Sequence, residues 1–255
     1  MRLWLVCCWL ACALTFIPAA AQERLRIAIE GAFPPFSAVD GAGELVGFDV
    51  DIARALCEEM TVECTLVQQD WDGIIPGLLA RKYDAIIASM SITEERKKSV
   101  AFTDKYYQTP ARFLVPKDSN LEISPPGLAG KTIGVQRATI WDRYISAQYP
   151  DADIKRYASQ DEIYLDMAAG RVDATFVDAL AARGGFLNTP KGADYTFKGP
   201  TITDPKWVGE GIGSALRKGD DPLRQRFNDA IANLRADGTY DAIRSRYFDF
   251  DIYGD

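Results

Sequence analysis

Residues 80–89 read ARKYDAIIAS, and residues 169–178 read AGRVDATFVD. Both stretches combine the end of a helix, a basic residue, Asp-Ala, a run of small or apolar residues and a final polar residue. The first strands of the two halves also correspond, because IAIE at 27–30 matches IGVQ at 133–136. Two similarities in the same order predict two lobes of like topology, although any two αβ units could share such patterns.

Strand and helix patterns alternate through both halves, which predicts an α/β fold in which each lobe is a mostly parallel sheet flanked by helices. The predicted strands are 25–29, 64–67, 85–88, 132–135, 154–157 and 174–177, and the predicted helices are 48–60, 74–82, 140–148, 160–169, 179–186, 223–235 and 240–247. Segments near 108–110 and 203–211 are expected to cross between the lobes as a two-stranded hinge. The expected division is therefore 22–109 plus 208–255 for lobe I and 110–207 for lobe II.

The composition is that of a folded protein, with 47% hydrophobic and 25% charged residues among 255. The sequence contains no histidine, which excludes a Ser-His-Asp or Cys-His catalytic site and any histidine-ligated metal. Its 29 basic and 36 acidic residues give a net charge of −7, which argues against nucleic acid as a partner. Walker-type phosphate loops, GxGxxG and HExxH motifs are also absent, so we expect no cofactor and no metal.

The N-terminus has the pattern of an export signal. Residues 1–21 read MRLWLVCCWLACALTFIPAAA, with a positive Arg2, an apolar run at 3–17 and an A-x-A site at 19–21. We expect cleavage near Ala21 and a soluble, exported mature chain. A retained membrane anchor and a lipoprotein modified at Cys12 are the alternatives.

Cleavage at this point would leave two cysteines, Cys57 and Cys64. In an exported chain, two cysteines at this spacing predict one short disulfide, with two free thiols as the alternative. The CxxC spacing of a redox motif is absent, so the predicted bridge is structural.

Polar side chains follow four of the predicted buried strands. They are Glu30, Ser89, Gln136 and Asp178. In open parallel sheets, ligands bind beyond the carboxyl ends of the strands, so two facing lobes would bring these residues to one cleft. Asp178 also precedes a predicted helix, where an aspartate that serves only as the N-cap is the alternative.

The stretch 89–96, SMSITEER, follows a predicted buried strand and opens a helix that Thr93 would cap. Exposed N–H groups, hydroxyls and the guanidinium of Arg96 together favour binding of an anion, and a planar carboxylate suits two parallel bonds from an arginine. The alternative is a capped helix with a surface arginine.

Aromatic residues accompany these polar groups. Phe33 and Phe36 lie on the loop after Glu30, and Trp71 stands at a strand-to-helix turn between two aspartates. Two aromatic faces can enclose an aliphatic chain or a cation. For either ring alone, and for Phe36 in particular, core packing is the alternative.

Several motifs resemble a known family. GFDVD at 47–51, WDGIIPGL at 71–78, SITEER at 91–96, and GTY and YFDF near the C-terminus resemble the polar amino-acid-binding proteins of ABC importers. This is bacterial solute-binding protein family 3, and the resemblance is strongest to its lysine/arginine/ornithine- and histidine-binding branch. It implies a two-lobed type II periplasmic-binding-protein fold, a periplasmic location, and a monomer that delivers an amino acid to an inner-membrane permease without catalysing a reaction.

The resemblance also implies how the ligand carboxylate would be bound. The matching positions are the guanidinium of Arg96, the serines Ser89 and Ser91, and the backbone at Thr139 and Ile140.

The rest of the ligand would contact other positions. By the same resemblance, Asp178 would accept the α-ammonium with help from Ser89, and the side chain would lie between Phe33 and Trp71. Glu30 would receive a distal cation, which favours arginine, lysine, ornithine or histidine.

Some positions depart from the basic-amino-acid branch. Glu30 replaces a shorter aspartate, Ala88 replaces a common hydroxyl, and Trp141 would change the shape of the pocket. Arg137 would place a second cation near the ligand, which keeps opines such as octopine or nopaline as an alternative. From another class, a cyclohexadienyl-dehydratase-like enzyme would use Glu30 or Asp178 as general acid, and a sensor domain is a third possibility.

Overall fold

The computed structural model describes residues 23–254. The predicted signal peptide and its cleavage site lie outside these residues, as do the alternatives of an anchor and of a lipoprotein at Cys12. In the described part, the strands are β1 (Arg24–Ile29), β2 (Ala32–Phe33), β3 (Ser37–Val39), β4 (Leu45–Val46), β5 (Glu63–Gln68), β6 (Ala85–Ile86), β7 (Val100–Tyr107), β8 (Ala111–Pro116), β9 (Thr132–Gln136), β10 (Asp153–Tyr157), β11 (Ala174–Asp178), β12 (Tyr195–Ile202) and β13 (Ile212–Arg217).

Helices connect most of these strands. They are α1 (Phe48–Glu59), α2 (Trp71–Leu79), α3 (Glu94–Lys97), α4 (Pro125–Leu128), α5 (Ile140–Gln148), α6 (Gln160–Ala168), α7 (Ala179–Ala182), α8 (Pro205–Val208), α9 (Asp221–Ala236) and α10 (Thr239–Arg244). A π-helix at Arg183–Leu187 continues α7, and a 3₁₀ turn follows at Pro190–Gly192. Helix α2 begins three residues earlier than predicted, so that Pro76 lies inside the helix rather than in its first turn.

Two five-stranded sheets with the same topology form the centres of two lobes. Their strand orders are β5-β1-β6-β13-β7 in lobe I and β10-β9-β11-β8-β12 in lobe II. In each sheet the first three strands pair in parallel and the last two join by antiparallel pairing. The fold class predicted from the sequence, two α/β lobes, is confirmed.

The two stretches that suggested a repeat take equivalent places in the two sheets. Ile27 pairs with Ala85 in lobe I, and Ile133 pairs with Ala174 in lobe II. Each pairing joins the first strand of a lobe to the strand that follows the Asp-Ala step. The carboxyl ends of these strands therefore carry the predicted site residues.

The chain passes twice between the sheets. The first crossing, 108–110, joins β7 to β8, and the second, 203–211, joins β12 to β13 through α8. These positions agree with the expected hinge segments. The division at 109 and 207 and the use of these crossings as a hinge remain a proposal.

Each lobe has a buried apolar core. In lobe I, α1 packs Phe48, Ile52 and Leu56 against the sheet, and all three are fully or almost fully buried. In lobe II, Phe113 and Phe176 pack together in the centre. These cores hold the strand ends that border the cleft.

The predicted disulfide is present: Cys57 and Cys64 are bonded. The bridge ties the last turn of α1 to the start of β5. Over residues 23–254, no helix is long and apolar enough to cross a membrane.

Candidate ligand-binding site

A cavity lies between the lobes at the carboxyl ends of the strands. Its walls include every site residue expected from the sequence, namely Glu30, Phe33, Trp71, Ser89, Ser91, Arg96, Gln136, Thr139, Ile140 and Asp178. The structure thus brings these residues together from both lobes.

Lobe I contributes a positively charged group, Arg96, next to the serines. Thr93 accepts a hydrogen bond from the Arg96 N–H and so caps α3, as predicted. The Arg96 guanidinium donates to the Ser91 carbonyl at 3.0 Å and lies 5.1 Å from the Trp71 ring centre. Desolvation lowers the pKa of Arg96 to about 10. The residue is therefore still a cation at neutral pH and can pair with a carboxylate.

Lobe II faces this group with the start of α5. The Thr139 hydroxyl caps α5 by accepting from the Asp142 N–H at 3.2 Å, and it donates to the Gln136 carbonyl at 2.6 Å. Ile140 is the first residue of the helix. The free N–H groups of a helix start suit a negatively charged partner.

Asp178 is both a helix N-cap and a residue of the cavity wall, the two roles considered from the sequence. It caps α7 by accepting from the Leu180 and Ala181 N–H groups at 2.8 and 2.9 Å, and the Thr109 hydroxyl also donates to it. The same residue lines the cavity. Burial raises the pKa of Asp178 to about 6. This leaves a mostly ionised carboxylate at neutral pH, without a cationic partner among the ion pairs of residues 23–254.

Glu30 and Gln136 meet across the cleft. The Gln136 amide donates to the Glu30 carboxylate at 2.6 Å and to the Ala158 carbonyl at 3.1 Å. Glu30 is 5% exposed, and burial raises its pKa to about 7. A buried carboxylate that has only a neutral partner favours the approach of a cation.

The aromatic residues separate into two groups. Phe33 and Trp71 line the cavity, and the Trp71 N–H donates to the Ala138 carbonyl of lobe II at 3.2 Å. Phe36 does not line it; its ring stacks on Tyr107 with centres 4.7 Å apart. Core packing is therefore the observed role of Phe36, while Trp141, from lobe II, joins the cavity wall.

Arg137 lies away from the ligand cavity. Its guanidinium pairs with Asp72 of lobe I, and its side chain is half exposed. It is not among the residues that line the cavity. The arrangement therefore does not support the second carboxylate contact on which the opine alternative rests.

The lobes are closed on each other. Besides the contacts of Glu30 and Trp71, Arg143 of lobe II pairs with Glu95 of lobe I at 2.7 Å. These contacts join the lobes around the cavity, so the structure represents a shut cleft.

Sequence reasoning missed part of the cavity wall. The additional lining residues are Ala88, Gln108, Thr109, Trp141, Val208, Gly211 and Ile212, of which Ala88 and Trp141 were noted only as departures. The other five lie on the two chain crossings or directly beside them. The predicted hinge positions could have indicated them, because the crossings form the back of a cleft between two lobes.

In the described part of the chain, no three His, Cys, Asp or Glu residues are grouped so that they could hold a metal ion. The charged groups of the cavity are instead spread over its walls, with Arg96 in lobe I, Asp178 in lobe II and Glu30 at the β1 end. This arrangement suits a small ligand with several charges.

The family model of the bacterial extracellular solute-binding proteins, family 3, matches residues 25–250. The chain belongs to this family. The resemblance seen in the sequence motifs is thereby confirmed, and so is the function class of an extracellular solute-binding protein.

Individual members of family 3 are also similar over nearly the whole chain. The L-arginine-binding protein of Pseudomonas aeruginosa is 51% identical over 237 residues, which is 92% of each chain. The histidine-binding periplasmic protein of Salmonella typhimurium is 44% identical over 238 residues, also 92% of each. The solved structure of an ancestral arginine-binding protein bound to arginine has a TM-score of 0.82 and 35% identity, covering 89% of this chain and 99% of that one.

Proposed function

We propose that this protein captures a cationic L-amino acid, with arginine as its principal ligand, and delivers it to the permease of an ABC importer. The charge balance of the cavity carries this proposal. Arg96 is positive, whereas Asp178 and Glu30 are acidic, so the ionised site has one excess negative charge. An arginine zwitterion with its guanidinium has one carboxylate and two cations, which complements this arrangement group for group.

The two ends of the ligand would meet different walls. The α-carboxylate would pair with Arg96 and the N–H groups at the start of α5, and the α-ammonium would pair with Asp178. This orientation is supported by the positions of Arg96 and Thr139 on facing lobes, and by the carboxylate of Asp178, which accepts hydrogen bonds at 2.8 and 2.9 Å from the α7 backbone.

The guanidinium would lie beside Glu30. This carboxylate is buried, and a cation there would return its pKa towards the ordinary value. The faces of Phe33 and Trp71 would enclose the aliphatic part of the side chain and the cation. The relatives named for arginine and histidine binding support a basic ligand.

The same proposal covers export, closure and delivery. Residues 1–21 would be removed near Ala21, and the mature periplasmic monomer would open and close at crossings 108–110 and 203–211. Its partners would be the amino acid and an inner-membrane permease. We propose binding without chemical conversion, because the cavity's charges all have a use in holding the ligand.

Calorimetry on the mature protein, residues 22–255, tests this function. Bound ligand is first removed by unfolding and refolding, and arginine, lysine, ornithine, histidine, citrulline, glutamine, glutamate, octopine and nopaline are then titrated. We expect the tightest binding with arginine and a large loss with citrulline, which replaces the guanidinium by a neutral urea group.

Tight binding of glutamate or of neutral glutamine alone would contradict the role of Glu30. Binding of opines alone would overturn the choice of ligand. Consumption of prephenate on incubation would show an enzyme instead.

A further inference from the structure

Asp49 lies directly behind the cavity wall. It is the second residue of α1, in the GFDVD motif, and it is 0% exposed. One carboxylate oxygen accepts from both the Ser89 N–H at 2.7 Å and the Ser89 hydroxyl at 2.9 Å. The other oxygen accepts from the Tyr106 hydroxyl at 3.0 Å. Within residues 23–254 its partners are thus neutral donors.

Ser89 lines the cavity in an unusual backbone conformation. Its φ of 51° lies in the left-handed region, which strains a residue other than glycine and persists only where surrounding contacts hold it. The two bonds to one oxygen of Asp49 hold both the backbone and the side chain of Ser89. Asp49 therefore fixes where the Ser89 hydroxyl oxygen is presented.

The bond to Asp49 also fixes the direction of the Ser89 hydroxyl. When Asp49 is ionised it can only accept, so the Ser89 hydroxyl proton then points to Asp49 and the hydroxyl oxygen is an acceptor towards the cavity and the neighbouring Tyr107 hydroxyl. Such an oxygen attracts a donor and repels a carboxylate. The ligand group that suits it is the α-ammonium.

The electrostatic environment of Asp49 also favours an ammonium group at this position. Burial, with a smaller contribution from the nearby charge of Asp178, raises the pKa of Asp49 to about 7. Two buried carboxylates close enough to influence each other favour a cation between or beside them. An ammonium near Ser89 and Asp178 would relieve this repulsion and keep both groups ionised.

We propose that Asp49 is a positioning residue of the α-ammonium subsite, which holds Ser89 as a pure acceptor and so selects ligands that carry an α-ammonium. This rests on the proposed function. It assigns Ser89 to the ammonium and leaves the carboxylate to Arg96, Ser91 and the α5 backbone, whereas the family resemblance divides Ser89 between the two groups.

The test compares two ligands on four variants. L-Arginine is titrated beside 5-guanidinopentanoic acid, which lacks only the α-amino group, with weak binding measured by competition. The variants are Asp49→Asn, Ser89→Gly, their combination, and Asp51→Asn as a control. Asp51 is on the same helix but contacts Tyr247 and Arg246 rather than Ser89. Glycine at 89 keeps the left-handed backbone without strain.

We expect Asp49→Asn and Ser89→Gly each to weaken arginine binding at least about tenfold, the size expected for a lost hydrogen bond to a charged group, and to leave the analogue within about threefold. The loss in the double variant should be clearly smaller than the two single losses combined, because Asp49 acts mainly through Ser89. Asp51→Asn should bind both ligands like the wild type.

Equal losses for the two ligands, additive losses in the double variant, or unchanged arginine binding by Ser89→Gly would overturn the proposal. Ser89→Gly decides the question by itself if Asp49→Asn does not fold. Should the wild type bind another amino acid instead of arginine, the proposed ligand is wrong, and the same comparison is made with that amino acid and its deaminated analogue.

Discussion

The Gln136 amide of lobe II donates a 2.6 Å hydrogen bond to the Glu30 carboxylate of lobe I. In the closed cleft this neutral group is the partner of a buried acid whose pKa is raised to about 7. Closure without a cation therefore either leaves a charge poorly compensated or requires Glu30 to take up a proton. A ligand cation removes this cost, which links recognition of the side chain to closure of the lobes.

Replacing Glu30 by glutamine tests this link through ligand preference. Glu30→Gln keeps the size of the side chain but removes its charge, so arginine would lose its charge partner. We expect its binding to weaken by about 2–5 kcal/mol, while citrulline changes little. Calorimetry with the two ligands measures the difference, and an arginine affinity equal to that of the wild type would show that Glu30 does not receive the cation.

The same variant has a pH-dependent effect on stability without ligand. Because burial raises the pKa of Glu30 from 4.5 to about 7, the folded state holds the proton more tightly than the unfolded state, and stability is lost as pH rises between these values. This corresponds to on the order of 3 kcal/mol. We expect ligand-free Glu30→Gln to be more stable than the wild type at pH 8 and similar to it near pH 4.5.

Urea unfolding of both ligand-free proteins at the two pH values provides the measurement. A stability difference that does not change with pH would mean that the burial of Glu30 is relieved when the cavity is empty. Saturating arginine serves as the internal control, since a bound cation should abolish the disadvantage of the wild type at pH 8.

Arg96 should determine binding of the α-carboxylate. Arg96→Ala removes a desolvated cation whose bond in the structure is to the Ser91 carbonyl. We expect arginine binding to weaken by about 2–5 kcal/mol, and L-argininamide, which lacks the carboxylate charge, to lose much less. Titration of both ligands distinguishes a direct contact with the ligand carboxylate from a structural role of Arg96. Equal losses of affinity for the two ligands would indicate the structural role.

The position of the site could be predicted from the sequence because it depends on local patterns. A buried strand followed by a polar residue occurs at Glu30, Ser89, Gln136 and Asp178, and the sheet topology brings such strand ends to one edge. Sequence alone could not show that Asp49 faces inward. Asp51 has the same chemistry two residues later, yet its side chain is 17% exposed and contacts other residues.

Strands β7 and β12, next to the crossings, were not predicted from the sequence, and the reason differs from that for Asp49. β7 reads VAFTDKYY, in which Asp104 and Lys105 interrupt the apolar pattern, and β12 is an edge strand with mostly partly buried or exposed residues. Their pairing depends on partners far away in sequence, since β7 pairs with β13 and β12 with β8. Such long-range pairing leaves little local signal.

Gly184 should control how tightly the lobes close. It lies in the π-helix of lobe II, and a Cβ added there would be 2.7 Å from Cδ of Pro35 in lobe I. Its φ is not in the positive range, so alanine can adopt its backbone conformation. In Gly184→Ala the methyl group would collide with Pro35 only when the cleft is shut. We expect affinity for arginine and lysine to fall by a similar factor, about 1–3 kcal/mol, the usual cost of overpacking.

Gly41→Ala is the matched control, because a Cβ at that position meets nothing within 4 Å and its φ is also not in the positive range. Calorimetry gives the affinities, and small-angle scattering with and without arginine reports whether the lobes still close. Unchanged affinity in Gly184→Ala would contradict this role. A loss restricted to one ligand would do so as well, because a barrier to closure acts on every ligand that the closed lobes enclose.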